Sequence, residues 1–252
     1  MKKILVLLLA CSFSVVYADG VYIAGAGVGA TPLYAGSKHY HALAAPFISA
    51  QWDNGISLDP IQGLMWQKEF GNGLFIAGVL SYDYGRTDRD RAELPGSDYL
   101  AGMGRIPGAF MGSARVGTHL WGKSTVSLTV DSPLTHTSNG VAGHIDVVVP
   151  LLENERDQLD FTTSLHGGSG RYMQTWYGVT GEQSAASGFK TFLPKAGVDN
   201  ISANIKWTHA LTESWLLISN VTVSRLVGDS GKSPIVQSKN GVTAIESIGY
   251  RF

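Results

Sequence analysis

The 252 residues carry 19 Lys and Arg against 20 Asp and Glu, 31 Gly and a single Cys, with only 15% charged residues. This balance gives no general electrostatic case for nucleic acid, and one cysteine excludes both a disulfide framework and a cysteine metal site. Beyond Ala18 no apolar run is long enough for a transmembrane helix, so a Gly-rich, low-charge chain points to one β-domain.

The first element is an export signal. Lys2 and Lys3 form a positive start, Ile4 to Val16 is apolar or small throughout, and Val16-Tyr17-Ala18 offers small residues for cleavage. Residues 1–18 are therefore expected to be removed, leaving 19–252 as the folded domain. Loss of the two lysines lowers the basic count from 19 to 17 against 20 acidic residues. A competing reading takes Leu8-Leu9-Ala10-Cys11 as a lipidation site, but only Ile4 to Ala10 precedes it as apolar run.

Beyond the signal, several stretches alternate with period two, which on a strand separates the side chains onto opposite faces. Phe110, Gly112, Ala114, Val116 and Leu120 interleave with Ser113, Arg115 and His119. Val126, Leu128 and Val130 interleave with Thr125, Ser127 and Thr129, and Ile145, Val147 and Val149 with His144, Asp146 and Val148. Ile201, Ala203, Ile205 and Trp207 alternate with Asn200, Ser202, Asn204, Lys206 and Thr208. The polar faces hold Ser, Thr, Asn and Gly with isolated charges, as a barrel lumen does, rather than the Lys and Glu of a solvated sandwich. Short connections (Asp53-Asn54-Gly55, Gly71-Asn72-Gly73, Trp121 to Ser124, Glu153 to Gln158, Leu211 to Ser214) alternate with long ones (Thr31 to His41, Gly85 to Gly108, Leu134 to Gly143, Gly167 to Gly197, Gly228 to Asn240). Short periplasmic turns and long outward loops are the signature of bacterial outer-membrane barrels. The last stretch, Gly241 to Phe252, reads as a closing strand with aromatic residues at Tyr250 and Phe252.

The fold expected is all-β: a closed antiparallel transmembrane β-barrel of about twelve strands, with ten the alternative. The count turns on Ile56 to Phe70, which supplies two strands if Pro60 and Gly63 break it. If it is one kinked strand, Arg171 to Val179 is the reserve.

Candidate chemistry is sparse. His39 and His41 flank Tyr40 but lack a third ligand, so no metal is assigned. Arg86, Asp88, Arg89, Asp90, Arg91 and Glu93 form an alternating-sign cluster, read as a solvated, self-neutralising loop, with contact to lipopolysaccharide phosphates as its functional reading. Arg115 and His119 are expected to line the lumen near an acid such as Asp131 or Asp146. His136-Thr137-Ser138-Asn139-Gly140 is similar to the His-x-Ser-Asn string of outer-membrane phospholipase A and lipid A deacylases; on an extended segment His136 and Ser138 would share a side. A group to orient the histidine is not evident, and a turn is the simpler account. Gly228 to Ile235 (GDSGKSPI) lacks the spacing of a phosphate-cradling loop and is expected to be the last outward loop.

Tyr177-Gly178-Val179 followed by Gln183-Ser184-Ala-Ala-Ser187-Gly188, Leu226 to Val236 (LVGDSGKSPIV) and Pro32-Leu-Tyr34-Ala-Gly36-Ser37 with Pro46 resemble the MipA/OmpV family, the MltA-interacting group of outer-membrane proteins. Ser138-Asn139-Gly140 and Tyr99 to Gly108 also resemble pieces of it. The resemblance singles out Tyr177, Gly178, Val179, Ser184, Ser187, Gly188, Asp229, Ser233 and Pro234 as motif residues with a structural or binding role. It implies a non-enzymatic barrel without cofactors, located in the outer membrane among lipid and lipopolysaccharide. For the name-giving members it also implies a scaffold joining a lytic transglycosylase to a murein synthase. A porin-like channel and an outward-facing adhesin are the alternatives, and a lipid hydrolase using His136 and Ser138 the remote one.

Overall fold

The computed structural model describes residues 20–91 and 94–252. The expected export signal, Cys11 and Glu93 lie outside the described residues. Those described form one closed antiparallel barrel of twelve strands in which each strand pairs with its sequence neighbours and the last with the first. The strands are β1 (Gly20–Pro32), β2 (Tyr40–Trp52), β3 (Ile56–Asp59), β4 (Gly63–Glu69), β5 (Leu74–Asp83), β6 (Ala109–His119), β7 (Thr125–Pro133), β8 (Ala142–Glu153), β9 (Asp157–Gly168), β10 (Gly197–Ala210), β11 (Trp215–Leu226) and β12 (Asn240–Arg251). Closure runs from Ile23↔Arg251 to Ala30↔Ala244, and beyond it the Phe252 N–H donates to the Tyr22 carbonyl at 3.0 Å. No sheet edge is left at this seam, which hydrocarbon demands of any spanning structure.

Register sorts the alternation into two faces. Val28, Ile48 and Phe110 point outward and are 61%, 65% and 61% exposed, in line with an apolar belt that meets lipid. Aromatic residues flank it. Trp215, Tyr250 and Phe252 sit edge to face near the short-turn end, and Tyr84, Tyr82 and Phe110 do the same at the long-loop end. Inside, small residues make room where strands crowd: a Cβ on Gly117 would collide with the Phe75 ring.

The segment Ile56 to Phe70 does break into two strands, and the residues at the break show why. Asp59 Oδ1 accepts from the Ile61 and Gln62 N–H groups at 2.8 and 2.9 Å, and Gly63 takes φ 93°, which only glycine adopts without strain. The reserve strand is overturned. Arg171 lies inside a helix, α1 (Gly170–Tyr177), because Ser169 caps the Tyr172 N–H and starts helical hydrogen bonding.

This tight hairpin leaves a notch. β2 pairs with β3 only at Ala50↔Leu58 and Gln51↔Ser57, so Tyr40 to Ser49 has no strand beside it on that flank. Pro46, which has no N–H to offer a ladder, sits in this segment. The wall is therefore low between the upper half of β2 and the top of β5.

Candidate functional site

The long-loop end carries a cap made of its own connections. Tyr34 after β1, Leu100 and Met103 after β5, Val179 after β9 and Ile235 after β11 meet in one core, none more than 3% exposed. Phe189, Phe192 and Val236 pack around it, and Met173, Tyr177 and Leu226 form a second cluster beneath. Hydrogen bonds tie the same loops. The Tyr34 hydroxyl donates to the Ile235 carbonyl at 2.8 Å, and Gln183 Nε2 to the Met103 carbonyl at 2.7 Å. Asn139 Nδ2 donates to the Pro107 carbonyl at 3.0 Å.

The motif residues fall within this cap. Tyr177 ends α1, Gly178 is its C-cap and Val179 is buried and bridged to Phe192. Ser184 and Ser187 belong to α2 (Gly181–Ser187), a helix opened by a capping box between Thr180 and Gln183. The Ser187 hydroxyl bonds back to the Gln183 carbonyl at 2.6 Å, and Gly188 ends the helix in the left-handed region at φ 82°. The second motif meets the first: the Ser233 hydroxyl donates to the Tyr177 carbonyl at 2.5 Å. Pro234 then leads into buried Ile235. Asp229 accepts from the Lys195 N–H at 3.1 Å and the Lys232 ammonium at 3.2 Å, contacts that hold its carboxyl below the usual range.

Below the cap, the inner faces of β6 to β10 form a polar wall. Ser113 donates to Asp131 at 2.5 Å, and His144 stands between Asp146 (Nδ1 at 2.7 Å) and Asp131 (Nε2 at 3.5 Å). The His144 and His166 rings stack with centroids 6.3 Å apart. His166 Nδ1 lies 2.6 Å from Asp199, whose other oxygen accepts from the Tyr177 hydroxyl at 2.9 Å. Asp199 is 1% exposed, so this carboxylate couples the wall to helix α1 across a dry contact. Burial first, then the neighbouring Tyr172 and Asp199, pushes the Tyr177 phenol well above its ordinary range. It therefore stays a proton donor.

The arrangement brings some expected residues together and separates others. Arg115 does face the lumen, its Nε donating to Thr129 at 3.0 Å, while His119 lies lower, 3.8 Å from Glu69. His136 and Ser138 do not share an extended face. His136 is left-handed at φ 48° and Thr137–Asn139 is a 3₁₀ turn, whose Ser138 carbonyl accepts from the Thr175 hydroxyl at 3.3 Å. Ser113 on the wall, only partly buried, donates to a carboxylate rather than an imidazole, so no histidine activates it. Among the described residues no group of three His, Cys, Asp or Glu is placed to hold a metal ion.

Arg86 corrects the reading of its loop as solvated. Its neighbour Arg89 is exposed and reaches Asp98 only at 4.0 Å, but Arg86 itself is 4% exposed. Its Nη1 donates to the Trp176 carbonyl at 2.6 Å and its Nε has no acceptor among the described residues. Burial lowers its pKa to about 10, so it remains a cation at neutral pH. Sequence spacing gave no sign of this, nor of the His166 to Asp199 contact, in which Asp199 is the extra residue where the β9–β10 ladder shifts register beside the Asn200↔His166 pair.

The short-turn end is open. Cavities of about 490 and 530 Å³ lie there, lined by groups that include Glu69, Gln51, Arg156, Asp157, Lys206 and Arg251.

A closed antiparallel barrel with an apolar belt, two aromatic rims and a polar interior is an outer-membrane barrel protein. The family described as MltA-interacting protein MipA matches residues 24–252, and the chain belongs to that family. No curated protein matches the chain. Among solved structures it is similar to the translocator domain of autotransporter NalP from Neisseria meningitidis (12% identity, 93% of this chain and 89% of that one, TM-score 0.41). It is also similar to Pseudomonas putida OprB (13%, TM-score 0.39), covering 83% of this chain but only 49% of that one, about half its length. An anion-selective porin from Comamonas acidovorans gives 10% identity, 93% and 99% coverage and a TM-score of 0.37. Likeness at this level carries no functional argument.

Proposed function

We propose that this protein is a non-enzymatic mount in the outer membrane that holds murein-hydrolysing and murein-synthesising enzymes at its periplasmic face. The observation that carries the reading is the asymmetry of the two ends. Connections from four sides of the barrel pack into one dry core at the long-loop end, whereas the short-turn end keeps an open, polar vestibule. An open pore needs a continuous wet lumen, and a cap with buried Tyr34, Leu100, Met103, Val179 and Ile235 opposes one. The short-turn end is periplasmic in barrels of this kind. The family's own description, an MltA-interacting protein, supports a partner of that kind; in this reading that partner is the lytic transglycosylase, and a murein synthase joins it through the same mount. Lipid and lipopolysaccharide surround the belt and the exposed arginines of the long-loop end.

The test is in-cell crosslinking of the tagged protein followed by mass spectrometry of what co-purifies from the outer membrane. Recovery of a lytic transglycosylase together with a murein synthase supports the mount. Their absence under conditions that capture an established barrel partner, together with steady conductance of the purified protein in planar bilayers, replaces it with a channel.

A further inference from the structure

We propose that the notch in the barrel wall is the mouth of a binding site for an anionic amphiphile, with Arg86 holding the anionic head and the apolar chain lying toward the membrane. The inference is independent of the periplasmic mount. A cavity of about 280 Å³ lies at the long-loop end, lined by Tyr34 and Ala35 from the β1–β2 loop, Tyr82 to Arg86 at the end of β5, Pro95, and Trp176 and Tyr177 of α1. One side of it faces lipid: Tyr82 shares the outward register of Leu80 on β5, and Tyr82 and Tyr84 are 48% and 61% exposed. The opposite side is lined by Trp176 and by Tyr177, whose hydroxyl donates to Asp199 of the barrel at 2.9 Å. The cavity is thus framed by the top of β5, the β1–β2 loop and α1, and β5 is the strand that faces the flank where β2 lacks a neighbour beside Tyr40 to Ser49.

Among the described residues, its chemistry is that of a receptor without a counterion. A buried guanidinium with one carbonyl acceptor and an unpartnered Nε is costly, because arginine does not shed its charge and a dry site screens it poorly. Asp83 lines the same cavity, but its carboxylate accepts from the Gly85 N–H at 2.7 Å and forms no ion pair with Arg86. The phenols of Tyr34 and Tyr177 are neutral, raised by burial, and add no negative charge. A carboxylate or phosphate monoester would supply the missing partner through charge-assisted, fork-shaped bonding. Four aromatic residues, Tyr34, Tyr82, Tyr84 and Trp176, would meet the chain behind it.

The probe is dodecanoate, added to the full-length barrel in a nonionic detergent and followed by equilibrium dialysis, with dodecanol and inorganic phosphate as the two comparison arms. Saturable one-to-one dodecanoate binding is expected, with dodecanol much weaker and millimolar phosphate unable to displace it. Arg86→Gln should weaken binding about 10- to 100-fold, the range for losing a charged hydrogen-bond donor, and Arg86→Lys should recover part of the loss. Ala35→Trp, which fills the cavity and keeps the arginine, should weaken binding as well while the barrel retains its heat-resistant migration on gels. Equal binding of dodecanol, or unchanged affinity in both Arg86→Gln and Ala35→Trp, overturns the site. Displacement by free phosphate overturns the membrane source of the ligand and leaves a small-anion site.

Discussion

Helix α1 is held to the barrel wall through one buried carboxylate, and the strength of that latch is open to direct measurement. Tyr177→Phe removes a single oxygen and with it the 2.9 Å bond to Asp199, leaving His166 in place at 2.6 Å on the other carboxylate oxygen. A hydrogen bond to a charged group contributes about 1.5–3 kcal/mol, so α1 should open about 10 to 150 times more often. Asp199→Ala strips both partners at once and leaves buried polar groups unmatched, a loss of about 3–5 kcal/mol. Amide hydrogen exchange of the segment 170–177, measured by mass spectrometry on the refolded barrel, reads both effects. Because the two residues act on one contact, the double variant should exchange little faster than Asp199→Ala alone. Unchanged protection in Tyr177→Phe, or full additivity in the double variant, would refute the latch.

Replacing Gly170 to Ser187 by a short Gly-Ser linker removes both helices of the cap and should convert a silent protein into a conducting one in planar bilayers. An equally silent variant would place the seal elsewhere. Gly140→Ala should cost about 1–3 kcal/mol, since Gly140 sits at φ 84° and a Cβ there would collide with the Tyr172 backbone. Gly104→Ala, at φ 76° with open space around it, should cost less, and urea midpoints of refolded protein compare the two. Asp229 is held below its usual pKa by the Lys195 N–H first and the Lys232 ammonium second, so the tie it makes is present at neutral pH. It should weaken only as pH falls through the depressed value. Asp229→Asn should remove that acid dependence of proteolysis around Lys195, and an identical pH profile in both proteins would contradict it.

The barrel was legible in the sequence because lipid imposes a rule on every strand, and period-two alternation records it residue by residue. The doubled strand at Ile56 to Phe70 was legible for a local reason, since Asp59, Pro60 and Gly63 are turn chemistry whatever surrounds them. The cap was not. Leu100, Val179 and Ile235 stand in loops without a period, and only the closed barrel brings those loops to one mouth. Arg86 shows the limit most clearly, because beside Asp88, Arg89 and Asp90 it looks like one charge among several and burial alone sets it apart. The contact of His166 with Asp199 belongs to the same class: plain alternation from Asn200, the partner of His166, would turn Asp199 to the other face, and only the break in register between Val198 and Asn200 brings it to the histidine.

The low flank of the barrel also bears on how the molecule sits among its neighbours. Elsewhere, strands such as β8 to β11 run 12 to 14 residues and are paired along nearly their whole length. β3 has 4 residues, roughly 13 Å of wall at about 3.3 Å per residue, against an apolar belt of about 25 Å. A bilayer meets such a mismatch by thinning locally, at a cost of fractions of a kcal/mol per Å. The protein therefore has a front and a back within the plane of the membrane. On that front the lipid meets the shortest strand among the described residues, so the cost of mismatch falls on one sector of the circumference.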